Sequence, residues 1–504
     1  MKQKIVNYNP DILDCISNLS SDEVFTSPLL ANKILDSLPV SIWKNKDAKF
    51  LDPGTKTGVF LREVASRLNY GLRDIIKSEQ KRINHILKNQ IFGLGITELT
   101  TLMSKRSLYC SIKVNGNKSI TNIFDNNNGN IHYSNTKHLW DNKKKNCKYC
   151  GARYDIYEKS LTFENHAYEF IHNPSIDKIF SKDMKFDVIV GNPPYQLKDG
   201  GHEASAKPIY QLFVEQAKKL NPKYLAMIIP SRWFTGGKGL DEFRSNMLND
   251  KRIRVLDDFL DASECFGNGV SIKGGVCYFL WDRDNPGDCE ITTHDKGEII
   301  SKKVRPLLEK NFNTFIRYGE AIPILKKIQS INKTSFAELV SSRKPYGIST
   351  DFKGKNKPSI NSIKIYQNKG VGYVDSKMVN SNNDWINKHK VIVPYAVGTG
   401  DSKTDYIKPL YCEPGACNSE TYLNIGPFKS KKDCQNVISY IKTKFFHFLI
   451  TLKKNTQHTT KNIYEFVPIE DFDNELNDQI LYKKYQLNQK EVNFIEKLVH
   501  PKND

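Results

Sequence analysis

The first periodic stretch of the chain is DEVFTSPLLANKILDSLP, where Leu29, Leu30, Ile34, Leu35 and Leu38 recur at helical spacing. Thr26 or Ser27 can cap that helix, and Pro28 is tolerated in its first turn. Next, Phe50-Leu51-Asp52-Pro53-Gly54 runs through Thr55-Lys56-Thr57-Gly58 into the helical VFLREVASRL. A strand, a glycine-containing turn and a helix make the first half of a βαβ unit, where glycine lets a ligand approach the backbone. A Lys-rich helix over roughly 71–89 precedes Gln90-Ile91-Phe92-Gly93-Leu94-Gly95, which reads as the second strand, and LTTLMSKRSLYCS reads as the helix after it.

The sharpest change of pattern lies in Phe186–Tyr195, FDVIVGNPPY. Its continuous apolar run, Val188 to Val190, predicts a buried strand of a parallel sheet. Pro193 supplies no N–H and biases Asn192 away from the helical region, so the chain leaves the strand as a stiff, extended loop. Before it, HAYEFIH reads as a third strand. After it, the stretch around Gly200-Gly201 reads as a flexible lid, followed by an amphipathic helix through Leu212, Phe213, Ala217 and Leu220. YLAMIIP, RIRVLDDF and GGVCYFLWD supply further apolar strands.

Strands alternating with helices over about 250 residues predict an α/β fold with a doubly wound, mostly parallel sheet. From about residue 300 that rhythm is lost. RPLLEKNFNTFIRYGEAIPILKKIQS reads as a helical connector, and basic loops then mix with strand-like runs such as HKVIVPYAVG and ISYIKTKFFHFLITLKK. The predicted domains are therefore 1–300, carrying an insertion at about 113–165, and 301–504, a mixed α+β unit.

Composition narrows the class. The chain has 504 residues, enough for two or three domains, and its 39% hydrophobic and 26% charged content is that of a soluble globular protein. No apolar run of about 18 residues marks a membrane span, and MKQKIVNYNPDILDC carries no signal-peptide core, so a cytoplasmic protein without a membrane partner is expected. A net charge of +19 suits a polyanionic partner, although Lys is abundant throughout. Ten cysteines in such a chain suit free thiols or a metal site better than a disulfide framework.

The loop after the FDVIVG strand carries the most specific chemistry. The Asn192 side-chain oxygen and the Pro193 carbonyl are two acceptors on a rigid backbone, with the flat face of Tyr195 beside them. Together they make a receptor for a planar ring bearing an amino group. The plain alternative is a buried strand followed by an ordinary proline turn.

Asn192-Pro193-Pro194-Tyr195 resembles the NPPY motif of gamma-type S-adenosylmethionine-dependent DNA adenine-N6 methyltransferases of restriction-modification systems. The resemblance implies a Rossmann-like methyltransferase domain over 1–300 and catalytic roles for Asn192, Pro193, Pro194 and Tyr195. Phe25-Thr26-Ser27-Pro28 resembles the family's Phe-Thr-Pro-Pro element, which implies that Thr26 helps hold the cofactor carboxylate. Asp52 to Leu61 resembles D-P-x-x-G-x-G-x-F-L, so Asp52 would accept the cofactor's amino group, with Gly54 and Gly58 allowing close backbone approach. Lys56 stands where the family has its central glycine. Gly95 stands where the family has the acid that binds the ribose, leaving Thr97 or Glu98 to substitute.

Residues 301–504 resemble a target-recognition domain, with FVPIEDF similar to its closing Pro element. The implied function is site-specific methylation of N6 of an adenine flipped out of double-stranded DNA, with a cognate restriction endonuclease as a possible partner. Protein-glutamine methyltransferases carry the same NPPY, and a catalytically idle DNA-binding specificity module with an altered cofactor loop is a second alternative.

The insertion adds Cys147-Lys148-Tyr149-Cys150-Gly151, a CxxCG knuckle after the basic Lys143-Lys144-Lys145. Two thiolates at this spacing suit a structural zinc ion, which needs two more ligands. His132, His138, His166 and Cys110 are the candidates nearest in sequence. His166 and His172 otherwise read as ordinary satisfied histidines.

Overall fold

The structure is a computed structural model and describes residues 24–141, 143, 145–157, 167–173, 175–181, 184–197, 207–267, 270–398, 406–454 and 457–499. The chain divides into two compact units, 1–315 and 316–504.

In the first unit, helix α1 (Pro28–Leu35) begins where the sequence pattern places it. The Ser27 hydroxyl accepts the Leu30 N–H at 3.2 Å, Pro28 fills the first position, and Leu30, Ala31, Ile34 and Leu35 are buried. Strand β1 (Phe50–Thr55) is buried along its whole length and turns at Gly58 into α2 (Val59–Gly71). Gly58 has a left-handed φ of 75°, and a Cβ there would lie 2.7 Å from the Ser104 hydroxyl of helix α3 (Glu98–Tyr109). Only glycine fits that turn.

Strands β2 (Ile91–Gly95) and β4 (Val188–Gly191) flank β1, both parallel to it. Six further strands complete the sheet, namely β3 (Ile131–His132), β5 (Tyr224–Pro230), β6 (Ile253–Phe259), β7 (Val276–Asp282), β8 (Cys289–Asp295) and β9 (Glu298–Arg305). The order is β3-β2-β1-β4-β5-β7-β6-β8-β9. Strands β3, β2, β1, β4 and β5 are mutually parallel, and β7 is antiparallel to both β5 and β6. The order reverses between β1 and β4, so their carboxyl ends open the crevice in which α/β sheets bind ligands.

Three readings of the pattern are corrected. HAYEFIH is not a strand: Glu169–His172 forms a short helix, α4, and the third strand of the parallel set is β3 inside the insertion. Strands β8 and β9 were not legible as such, because β9 is mostly solvated on the sheet edge and its lysines blunt that edge. The run ISYIKTKFFHFLITLKK is helical, with helices Lys431–Ile441 and Lys444–Thr451 capped by Ser430 and Thr443. Its aromatic and β-branched residues suggest strand, yet Val437, Tyr440 and Ile441 bury one face at helical spacing. The expected lid around Gly200-Gly201 lies outside the described residues.

The second unit holds two three-stranded sheets. Ser362–Gln367 lies between Gly370–Asp375 and Ala416–Asn418, and His389–Pro394 lies between Leu410–Cys412 and Tyr422–Phe428. Pro468 of FVPIEDF bridges to Ser335, with the Phe336 N–H donating to the Val467 carbonyl at 2.7 Å. Among the described residues no helix is long and apolar enough to cross a membrane.

Candidate active site

The loop after β4 is built around one glycine and one asparagine. A Cβ on Gly191 would lie 2.9 Å from an Asp52 carboxylate oxygen, so its absence lets the end of β1 close against the end of β4. Asn192 follows, 5% exposed. Its side-chain amide donates to the Val24 carbonyl at 3.0 Å and to the Thr26 hydroxyl at 3.1 Å. These two bonds fix which way the amide faces. Its oxygen Oδ1 is buried and has no hydrogen-bond partner, an arrangement costly unless a donor arrives from elsewhere.

Pro193, Pro194 and Tyr195 are also buried. The Tyr195 ring meets Phe266 edge-on at 6.4 Å, and its hydroxyl is a second buried polar atom without a partner. The Ile209 N–H donates to the Tyr195 carbonyl and the Leu197 N–H to the Lys207 carbonyl, so the segment after the loop is clamped to the start of helix α5 (Tyr210–Lys219).

The end of β1 packs directly on this loop. A Cβ on Gly54 would touch Pro194 at 3.7 Å and Phe213 of α5 at 3.8 Å. Asp52 accepts the Gly54 N–H at 3.1 Å and is buried. Burial pushes its carboxyl up to about 7, against the opposing pull of the Gly54 N–H and of Lys56. Lys56, at the position expected to be glycine, is 7% exposed and donates to the Val24 carbonyl at 2.9 Å. One carbonyl thus receives both Lys56 and Asn192. Thr26, Asp52, Gly54, Lys56, Gly58 and Asn192 line one narrow depression.

The structure therefore brings Thr26, Asp52, Gly54 and Gly58 to Asn192. It treats the residues after β2 differently. Thr97 caps α3 in a reciprocal box with Thr100, so its hydroxyl is already engaged, whereas Glu98 opens the helix and is exposed. Gly95 is required by packing, because a Cβ there would lie 1.8 Å from the Thr101 hydroxyl, which itself donates to the Thr97 carbonyl. Gly95→Asp, which would restore an acid at that position, is expected to destabilise the protein by about 1–3 kcal/mol through overpacking. Thr101→Ala should recover part of that loss in the double variant. Urea denaturation of the two variants checks it: an unperturbed Gly95→Asp midpoint would contradict the packing argument.

Val24, Lys56, Gly191 and Phe213 belong to the site although no side-chain role was assigned to them from the pattern. Of these, Gly191 carried a signal, standing between an apolar strand and a proline loop, and Lys56 carried one as the departure from an expected glycine.

Residues 89–266 match the family model of the Eco57I restriction-modification methylase. Over 341 residues the chain is 40% identical to a Mycoplasma pneumoniae protein named "Uncharacterized adenine-specific methylase", covering 63% of this chain and 81% of that one. Among solved structures, the Type IIL restriction-modification enzyme MmeI in complex with DNA superposes with a TM-score of 0.50. That match covers 98% of this chain and 76% of the other at 12% identity, a likeness of fold.

Proposed function

The chain belongs to the adenine-specific methylases of restriction-modification systems, and from that premise we propose that the Asn192–Tyr195 loop receives an adenine flipped out of double-stranded DNA. The observation that carries this reading is the buried, unpartnered Oδ1 of Asn192, held in orientation by two bonds from the same amide to Val24 and Thr26. An exocyclic amino group has two N–H donors, and Asn192 Oδ1 and the Pro193 carbonyl are the two acceptors offered to it. Accepting both hydrogens draws the nitrogen lone pair out of conjugation with the ring and fixes its direction, so alignment supplies much of the rate gain. Tyr195 gives the displaced base a face to stack on, worth about 1–3 kcal/mol, against an unstacking cost of a few kcal/mol.

The donor set around β1 fits S-adenosylmethionine. Asp52 is a buried carboxylate that gains by meeting a cation, and Gly54 and Gly58 line the same depression. Thr26 would hold the carboxylate end, and Glu98, exposed at the start of α3, would take the ribose more readily than Thr97, whose hydroxyl caps the helix. Thr26 and Asp52 line the same depression as Asn192, which suits the amino-acid end of the cofactor. When bound, the cofactor supplies an electrophilic methyl group on a sulfonium.

Residues 316–504 form the target-recognition unit in this reading, and a restriction endonuclease of the same specificity is the partner whose cleavage the methyl mark would block. With a net charge of +19, DNA affinity should fall by roughly 10³ or more between about 50 and 200 mM salt. Binding insensitive to salt would count against a DNA substrate.

The direct assay is transfer of a labelled methyl group from S-adenosylmethionine to duplex DNA or to protein in one reaction. Label on N6 of adenine supports the proposal. Label on a glutamine side chain would replace it with protein methylation, and DNA binding without transfer would reduce the chain to a specificity module.

A further inference from the structure

The insertion contains a second constellation of chemistry-bearing side chains, away from the Asn192 loop. Trp140 to Arg153 folds back on itself through antiparallel bridges between Trp140 and Cys147 and between Asn146 and Arg153. At its tip Cys147 and Cys150 form a tight turn: the Gly151 N–H donates to the Cys147 carbonyl at 2.9 Å and the Cys147 N–H to the Ala152 carbonyl at 2.8 Å. Gly151 takes a left-handed φ of 71°, which explains the glycine after the second cysteine. The Ala152 N–H points at Cys150 Sγ at 3.5 Å. Both thiols therefore face the same side of the turn, and one already receives a backbone donor of the kind that stabilises a thiolate.

Two histidines converge on them from separate segments. His138 Nδ1 lies 3.4 Å from Cys150 Sγ, and His172 Nε2, at the end of α4, lies 3.5 Å from Cys147 Sγ. One ligand atom from each of the four residues falls within 4.8 Å of all the others, and all four residues are buried. For a tetrahedral zinc ion, bond lengths of about 2.3 Å to sulfur and about 2.0–2.1 Å to nitrogen place neighbouring S and N atoms about 3.6 Å apart. The two cysteine–histidine spacings, 3.4 and 3.5 Å, lie close to that edge. His172 is also oriented from behind, since its Nδ1 lies 2.8 Å from the Tyr168 carbonyl. That bond puts the proton on Nδ1 and turns the Nε2 lone pair toward the sulfurs.

We propose that His138, Cys147, Cys150 and His172 bind one zinc ion in a closed, structural site. Two sulfurs and two nitrogens in a tetrahedral set select zinc among the common divalent ions, and four protein ligands leave no open position for catalysis. The other candidates from the sequence are placed elsewhere or not at all. His132 pairs with Glu169 at 3.2 Å, Cys110 is exposed at the end of α3, and His166 lies outside the described residues. His172, read from the sequence as an ordinary histidine, takes the fourth place because α4 is a helix whose last residue turns back on the knuckle.

The site has a mechanical consequence. Tyr168 and Phe170, at the start of the helix that ends in His172, pack their rings on Phe213 at 5.7 and 5.6 Å. Phe213 in turn lies with Pro194 under Gly54. A metal holding His172 to the knuckle therefore braces the floor beneath both the turn after β1 and the Asn192 loop.

The test is metal analysis of the full chain purified from zinc-replete cells and desalted through a weak chelator. About one zinc per chain is expected. Cys150→Ser should lose nearly all of it, whereas Cys110→Ser should keep it. Should Cys150→Ser fail to fold, the wild-type protein still decides the matter. A thiol-reactive mercurial should release the zinc to a colorimetric chelator, and cobalt substituted for zinc should show the intense visible bands of a tetrahedral thiolate site. The metal-stripped protein should melt several degrees lower. Purified wild-type protein with only traces of zinc, a Cys147–Cys150 disulfide in that protein, or full zinc retention in Cys150→Ser would each overturn the proposal.

Discussion

Asn192→Ala is expected to lower single-turnover methyl transfer by about 10²–10³-fold or more while cofactor binding stays nearly unchanged. The side chain has two separate jobs. Its NH₂ group ties the loop to Val24 and Thr26, and its oxygen is left buried for the incoming amino group. Alanine removes both, so a companion substitution is needed to separate them. Asn192→Asp keeps an acceptor where the substrate would sit but loses the donor, and sets a carboxylate oxygen against the Val24 carbonyl. It should retain more activity than alanine and be less stable than the wild type. Equal, near-complete loss in both variants with unaltered melting would mean that the oxygen does not act as an acceptor. Substantial activity in Asn192→Ala would remove the loop from the chemistry altogether.

The second large effect concerns Asp52 and pH. With its carboxyl raised to about 7 in the cofactor-free protein, Asp52 is largely protonated at pH 6 and largely ionised at pH 8. A cationic amino group binds the ionised form, so affinity for the cofactor should rise with pH up to about 7 and level off above it. Between pH 8 and pH 6 the loss should be about tenfold. Asp52→Asn should weaken binding at pH 8 by about 10–100-fold, the value of a hydrogen bond to a charged group, and should flatten the pH profile.

The stability effect has the opposite sign. The folded state holds the Asp52 proton to higher pH than the unfolded chain does, so this group lowers stability as pH rises from about 4 to about 7. Asp52→Asn should therefore be at least as stable as the wild type at neutral pH while binding more weakly. Calorimetry of cofactor binding across this range, beside thermal melts, reads both. A pH-independent affinity in the wild type would contradict the role given to Asp52.

The parts of this fold that were legible in the sequence are those where burial is two-sided and the chain is then punctuated. Strands β2 and β4 read as apolar runs ending in Gly, because a central parallel strand has no solvated face to break the run. The same logic fails at the sheet edge: β9 exposes Lys302 and Lys303 and leaves little apolar pattern to follow. It fails also where a short helix carries the composition of a strand, as in HAYEFIH.

Within the candidate site, Asn192 was named by residue type and its place after the strand, and Asp52, Gly54 and Gly58 by the resemblance of Asp52 to Leu61 to a family motif. The Val24 carbonyl could not be, since every residue has a backbone acceptor and only the fold selects which one lies beside Asn192. Lys56 illustrates the same limit. Its departure from glycine was visible, but its reach to Val24 depends on where the fold places the segment before α1. For the metal knuckle, the paired cysteines announced themselves, and the histidines required three segments to be brought together.

The central claim is that the Asn192–Tyr195 loop methylates adenine in DNA at a defined sequence. Sequencing that detects modified bases in DNA from a host expressing the protein tests it most directly. The expected result is N6-methyladenine at nearly every copy of one short sequence, present with the wild-type protein and absent with Asn192→Ala. Soluble, cofactor-binding wild-type protein that leaves host adenines unmodified, or an identical pattern with Asn192→Ala, would contradict it.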